Sequence, residues 1–252
     1  MPKFIKKLIA KAEKNFRKLL RLFDIELVGS RYFFELNEML ICKGEGHPSK
    51  SQYKQDIFAL SELGFKRNGY FVEFGATDGL ELSNTYLLEK QFAWDGILAE
   101  PAKCWHSELV KNRQCSIETD CVWSKTGETL RFNQVESANV STIDLFSNVA
   151  DGHQKARRKS TVYEVNTISL LDLLDKYHSP KLIDYLSIDT EGSEYEILKG
   201  FDFDKYQFKV ITCEHNHTPA RERIFELLSS KGYVRKFENL SMCDDWYVYQ
   251  DK

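Results

Sequence analysis

The sequence predicts an α/β protein built on one mostly parallel sheet, with helices on both faces and an antiparallel hairpin at the C-terminal edge. Three observations predict it. Short apolar runs alternate along the chain with stretches of helical spacing, and the runs are apolar nearly throughout, as strands buried on both faces are. The last two runs follow one another across a short polar connection, which is the arrangement of a hairpin.

A chain of 252 residues is long enough to bury one sizeable core. With 42% hydrophobic and 29% charged residues it has the make-up of a globular protein, which excludes disordered and collagen-like classes. The net charge of −3 argues against a general nucleic-acid binder, so no nucleic-acid partner is expected. The basic excess is local. Between Met1 and Phe23, Lys3, Lys6, Lys7, Lys11, Lys14, Arg17, Lys18 and Arg21 stand against Glu13 alone, around an apolar stripe of Ile5, Leu8, Ile9, Ala12, Phe16, Leu19, Leu20 and Phe23. This is the pattern of a basic amphipathic helix. Two readings stay open: the helix packs on the domain or on a second subunit of a homo-oligomer, or it lies on an anionic membrane surface, where each base contributes about 1 kcal/mol. No apolar run is long enough for a signal peptide or a membrane span. The expected organisation is an N-terminal basic helix and linker over residues 1–50, and one domain over 51–252 with no second core. The scattered cysteines, without Cys-x-x-Cys spacing, read as reduced thiols of a cytoplasmic protein, with membrane contact at the inner face through residues 1–23 as the alternative.

The loop signal Gly44-Glu45-Gly46-His47-Pro48 precedes a helical stretch over 56–63. Strands are then expected over 70–74, 96–100, 117–122, 130–135, 183–188 and 208–213. Helices are expected over 83–91, 105–113, 169–177 and 195–199. A helix over 221–231 and strands over 233–238 and 246–249 close the chain. Residues 137–161, polar and holding the base run Arg157-Arg158-Lys159, fit neither element and read as a long functional loop.

The strongest chemical signal is Val72-Glu73-Phe74-Gly75-Ala76-Thr77-Asp78-Gly79, a strand ending in a glycine turn ahead of a helix. Glycines there let a ligand approach the backbone at the carboxyl end of the first strand. The turn is not Gly-x-Gly-x-x-Gly and carries no P-loop lysine, which excludes a nicotinamide dehydrogenase and a nucleotide triphosphatase. Glu73 and Asp78 would repel phosphate and suit a cationic ligand, such as the sulfonium and amino group of S-adenosylmethionine. Glu100, closing the second run, is placed to accept hydrogen bonds from ribose hydroxyls. A second acidic turn, Asp189-Thr190-Glu191-Gly192-Ser193-Glu194, and the strand end Glu214-His215-Asn216 fall at neighbouring strand ends, so Asp189, Glu191, Glu214, His215 and Asn216 are expected to converge. Carboxylates and imidazole there serve either as a general base or as ligands to a hard divalent cation.

Together with Ser51-Gln52-Tyr53-Lys54-Gln55-Asp56, Ser83-Asn84-Thr85 and Leu98-Ala99-Glu100-Pro101, these segments resemble the FkbM family of S-adenosylmethionine-dependent methyltransferases, from about residue 50 to the end. The resemblance implies a Rossmann-like class I methyltransferase fold and O-methylation of a hydroxyl, often on a sugar or polyketide; a small-molecule or glycan acceptor is expected. It places Glu73, Gly75 and Gly79 at the methionine end of the cofactor, Glu100 at the ribose, and Asp120 to Val122, with Cys121 between them, beside the adenine. Ala76, Asp78, Asn84 and Asp189 complete the expected cofactor set. Asp189, Glu214 and His215 are the expected catalytic group, with either His215 as base or all three holding Mg²⁺ or Mn²⁺. Glu191, Asn216, Asp245 and Trp246 are expected on the acceptor side. The competing reading is a non-catalytic scaffold of the same fold, which the intact glycine turn and ribose acid disfavour.

Overall fold

The computed structural model describes residues 49–135 and 139–250. The basic leader and the linker through residue 48 lie outside the described residues. The first helix among the described residues, α1 (Gln55–Glu62), buries Ile57, Phe58 and Leu60. Strands β1 (Tyr70–Phe74) and β2 (Asp95–Ala99) flank helix α2 (Tyr86–Phe92). Helix α3 (His106–Asn112) leads to β3 (Ser116–Glu118). Farther on come β8 (Leu182–Ile188), α5 (Glu194–Lys199), β9 (Gln207–Glu214), α6 (Ala220–Ser230), β10 (Tyr233–Lys236) and β11 (Asp244–Tyr249), with α4 (Leu170–Lys176) ahead of β8.

These strands form the expected mixed sheet in the order β10-β11-β9-β8-β1-β2-β3. The run β9-β8-β1-β2-β3 is parallel, and β11 and β10 add the antiparallel edge. Because β1 pairs with β2 on one side and β8 on the other, the strand order reverses there, and open α/β sheets bind ligands beyond the carboxyl ends at such a point. Glu73, Ser187, Thr212 and Trp246 stand level across β1, β8, β9 and β11. Phe58 of α1 stacks on Trp246 at 4.8 Å between ring centroids.

The middle of the chain departs from the expectation of one sheet and one core. Strands β4 (Cys121–Trp123), β5 (Thr129–Val135), β6 (Thr142–Ile143) and β7 (Ser160–Ser169) form a second sheet in the order β4-β7-β5-β6. Its own small core gathers Ala102, Cys121, Trp123, Phe132, Ile143 and Val165. The single strand expected over 117–122 is broken because the Glu118 carboxylate accepts the N–H groups of Thr119 and Asp120 at 2.9 and 3.0 Å, turning the chain out of the large sheet. The stretch expected as loop over 137–161 contains β6, two 3₁₀ turns and the start of β7. Helix α2 begins later than its periodicity suggests, because residues 83–85 are drawn to Glu73. Among the described residues no helix is long and apolar enough to cross a membrane, and Cys104, Cys115, Cys121, Cys213 and Cys243 are free thiols.

Candidate active site

The carboxyl ends of β1, β2 and β8 floor a cleft of about 820 Å³, open to solvent on one side. The small sheet supplies a wall through Cys121, Val122, Phe132 and Ile143. Thr77 after β1 and Glu191 after β8 hold left-handed backbone at φ 47° and 59°, a conformation non-glycine residues rarely adopt.

Glu100 is buried on this floor with Oε2 accepting the Thr77 N–H at 2.8 Å and Oε1 the Ala102 N–H at 2.7 Å. Each oxygen keeps a lone pair for a further donor. Burial, reinforced by the charge of Asp189, pushes its carboxyl up to about 7 against the pull of the two N–H groups. Glu73 is buried too but committed. It accepts from Asn84 N–H at 2.7 Å, Ser83 Oγ at 3.1 Å and Thr85 Oγ1, with the Arg113 guanidinium 3.8 Å away. Its role is to anchor the 83–85 turn that carries Asn84 into the cleft wall. The Asn84 amide donates to Ser187 Oγ at 2.9 Å while its Oδ1 is buried without a hydrogen-bond partner.

The glycine turn divides. A Cβ on Gly75, at φ 74°, would lie 1.9 Å from the Asp189 carbonyl oxygen, so this glycine lets two strand ends meet. Gly75 also lines the cleft, where a cofactor contact is expected of it. Gly79 faces Leu109 and Arg113, each 2.6 Å from a built Cβ, and packs on α3 rather than on the cleft. Asp78 is spent on the Leu80 and Glu81 N–H groups, both at 2.8 Å. Ala76 is buried, and Asp120 lies off the cleft lining that includes Cys121.

At the ends of β8 and β9, Asp189, Glu191 and Glu214 bring carboxylate oxygens within 4.8 Å of one another. Asp189 and Glu191 line the cleft, and Glu214 stands behind Asp189, within hydrogen-bonding reach of it. Burial raises all three: Asp189 to about 6, Glu191 to about 9 with Asp189 adding to the rise and Arg157 opposing it, and Glu214 well above the usual carboxylate range. Three carboxyls this close do not all ionise without a cation or a shared proton. Asn216 reaches Glu191 Oε2 at 3.4 Å, as part of the same group.

His215, Asp245 and Trp246 do not join them. His215, the first residue past β9, parts from Glu214 and turns toward Asp245. It lies buried 3.7 Å from Asp245 Oδ1, and its Nδ1 accepts the His217 N–H at 2.9 Å. Burial lowers the imidazole to about 4, which keeps it neutral. Asp245 is clamped by Arg221 at 2.8 and 3.0 Å and by Arg235 at 3.1 Å, and Trp246 is 1% exposed under Phe58. The cleft lining thus does not include His215, expected as base or ligand, or Asp245 and Trp246, expected against the acceptor.

The base run flagged in the 137–161 segment enters the site through one residue. Arg157, read as one of three bases in a run, is buried; its guanidinium reaches Glu191 Oε2 at 2.8 Å, Asp151 Oδ2 at 2.5 Å and the Val140 carbonyl at 3.0 Å. Thr142 Oγ1 donates to the Glu191 carbonyl at 2.9 Å. Together they tie the small sheet to the acidic turn.

No curated protein matches the chain by sequence. Among solved structures, a precorrin-6y C5,15-methyltransferase from Geobacter metallireducens GS-15 is similar at 12% identity, over 78% of this chain and 87% of that one, with a TM-score of 0.39. The C-terminal domain of precorrin-6Y C5,15-methyltransferase from Rhodobacter capsulatus is 13% identical over 76% and 80%, with a TM-score of 0.34. A human methyltransferase 10 domain containing protein is 13% identical over 87% and 81%, with a TM-score of 0.36. At such scores none of them bears on the acceptor. The model of the methyltransferase FkbM domain matches residues 73–235, which include the glycine turn, Glu100, the acidic turn and Glu214. The chain belongs to the FkbM family of S-adenosylmethionine-dependent methyltransferases.

Proposed function

We propose that the protein transfers a methyl group from S-adenosylmethionine to a hydroxyl of an uncharged, polyhydroxylated acceptor, a sugar or glycan. The observation that carries this reading is the lining of the cleft. Its described residues include the carboxylates Glu73, Glu81, Glu100, Asp189 and Glu191 and no Lys, Arg or His. Such a wall disfavours phosphate and carboxylate groups and offers acceptors to hydroxyls.

The residues fit the cofactor. Glu100 has lone pairs left for the two ribose hydroxyls, and the orphaned Asn84 Oδ1 is an acceptor for the amino group of the methionine end. Cys121 and Val122 offer an apolar edge for the base. Bound there, S-adenosylmethionine supplies an electrophilic methyl on a cationic sulfur. The chain supplies the rest. The cleft holds the hydroxyl in line, which alone accounts for much of a rate. Asp189, the carboxylate at the cleft surface, accepts the hydroxyl proton, and Glu214 behind it fixes its orientation.

A second reading rests on the spacing of Asp189, Glu191 and Glu214, a hard-oxygen donor set suited to Mg²⁺ or Mn²⁺. Transfer of a labelled methyl group to neutral saccharides, sugar phosphates and lipid-linked saccharides tests the function. Label in the neutral saccharides supports it, and label confined to the phosphorylated ones contradicts it. A chelator leaves the rate unchanged under the general-base reading and stops transfer under the metal reading, with Mg²⁺ or Mn²⁺ restoring it.

A further inference from the structure

A row of hydroxyls runs through the middle of the large sheet. Tyr185 OH lies 2.7 Å from Thr212 Oγ1, and Thr212 Oγ1 lies 3.5 Å from Ser187 Oγ, which accepts from the Asn84 amide at 2.9 Å. Tyr185, Ser187 and Thr212 are all 1% exposed or less. A buried polar row is retained where every member is satisfied, and this one ends on an atom that is not: Asn84 Oδ1, in the cleft wall. The backbone at Asn84 is fixed separately, through its N–H to Glu73 Oε1 at 2.7 Å. Glu73 thus sets where Asn84 sits, and Ser187 sets which way its amide faces.

The sheet register gives this direction a meaning. Glu100 follows β2, on one side of β1, whereas Ser187 belongs to β8, on the other. A ligand held at its ribose by Glu100 would reach Asn84 only by extending across the end of β1. We propose that Ser187, backed by Thr212 and Tyr185, is a positioning residue that presents the Asn84 side-chain carbonyl to the α-ammonium of S-adenosylmethionine. The inference rests on the cofactor reading above. An ammonium suits the position because it has donors only and a positive charge, and the orphaned atom is an acceptor in an acidic wall.

The experiment compares two ligands of the full chain by calorimetry: S-adenosylhomocysteine, and 5′-methylthioadenosine, which shares the nucleoside and lacks the amino-acid end. In Ser187→Ala the affinity for S-adenosylhomocysteine should fall about tenfold, the loss of a hydrogen bond to a charged group. Binding of methylthioadenosine should not change. Asn84→Ala should show the same selectivity, and Thr212→Val a weaker form of it. If Ser187→Ala melts before binding is measurable, Thr212→Val and Asn84→Ala decide the matter. Equal losses for both ligands, or an unchanged affinity for S-adenosylhomocysteine, overturn the positioning role. A wild-type chain that binds neither ligand overturns the cofactor reading itself.

Discussion

Two clusters of buried charge sit at the edge formed by β8, β9 and β11, one drawing on Glu214 and the other on the next residue, His215. In the second, Asp245 is met by Arg221 through both oxygens, by Arg235 and by the Tyr247 hydroxyl. In the first, Asp189, Glu191 and Glu214 crowd within 4.8 Å, and Arg157 reaches Glu191 while also serving Asp151. One acid is matched by its own chain. The others are raised by burial and by one another. A matched buried charge holds a fold together, whereas an unmatched one is a cost that a ligand, a proton or a cation relieves. The cleft opens on the unmatched side.

That contrast is breakable. Removing an acid on the cleft side should cost ligand and not fold; removing Asp245 should cost fold and not ligand. The largest binding effect is expected at Glu100→Ala, which deletes an acceptor of two ribose hydroxyls. Calorimetry should show S-adenosylhomocysteine weakened roughly 10- to 100-fold, in a protein that still folds although the Thr77 and Ala102 N–H groups lose their acceptor. Asp245→Ala should lower stability by about 2 kcal/mol, less than the 3–5 kcal/mol of a fully buried pair because both arginines reach solvent; denaturant unfolding reads the loss, and affinity for S-adenosylhomocysteine should hold. Glu214→Gln should leave the melting temperature near pH 7 within about 2 °C of wild type, since burial and its acidic neighbours already keep Glu214 protonated. A larger fall would mean that the charge is matched after all.

The smallest expected effect is on pH dependence. Glu100 and Asp56 are raised by burial to about 7 and about 6 from ordinary values of 4.5 and 3.8. A folded-state pKa above the unfolded one stabilises at low pH, and that stability is lost as pH climbs through the folded value. The melting temperature of the ligand-free protein should therefore drift down between pH 5 and pH 8 (both set by these two pKa values). Glu100→Gln should flatten part of the drift. In the same window the affinity for S-adenosylhomocysteine should rise, because an ionised Glu100 is the better acceptor.

Much of this was legible in the sequence. Apolar runs gave the large sheet, and the glycine turn, Glu100 and the acidic turn after Ile188 gave the floor of the cleft, because strand ends in a parallel sheet meet at one edge. The small sheet was not legible: β7 buries few residues, Val165, Thr167 and Ile168 among them, and follows directly on a polar stretch, so no apolar run announces it. Side-chain direction was the other limit. Glu214 and His215 look like one motif in a line of text, yet Glu214 joins Asp189 and His215 joins Asp245. Trp246 falls under Phe58 only through the register that levels it with Thr212. Gly75 and Gly79 read alike, and neighbours distant in sequence decide that one admits the Asp189 carbonyl and the other admits α3.

The most direct test of the account is methyl transfer to one acceptor by Asp189→Asn and His215→Ala, measured side by side with wild type. Both variants are first shown to be folded by melting, and to bind S-adenosylhomocysteine. The account predicts that Asp189→Asn loses roughly 10²- to 10⁴-fold in turnover, the usual worth of a general base, while His215→Ala stays within about threefold of wild type. Loss of turnover in His215→Ala with Asp189→Asn near wild type would contradict it.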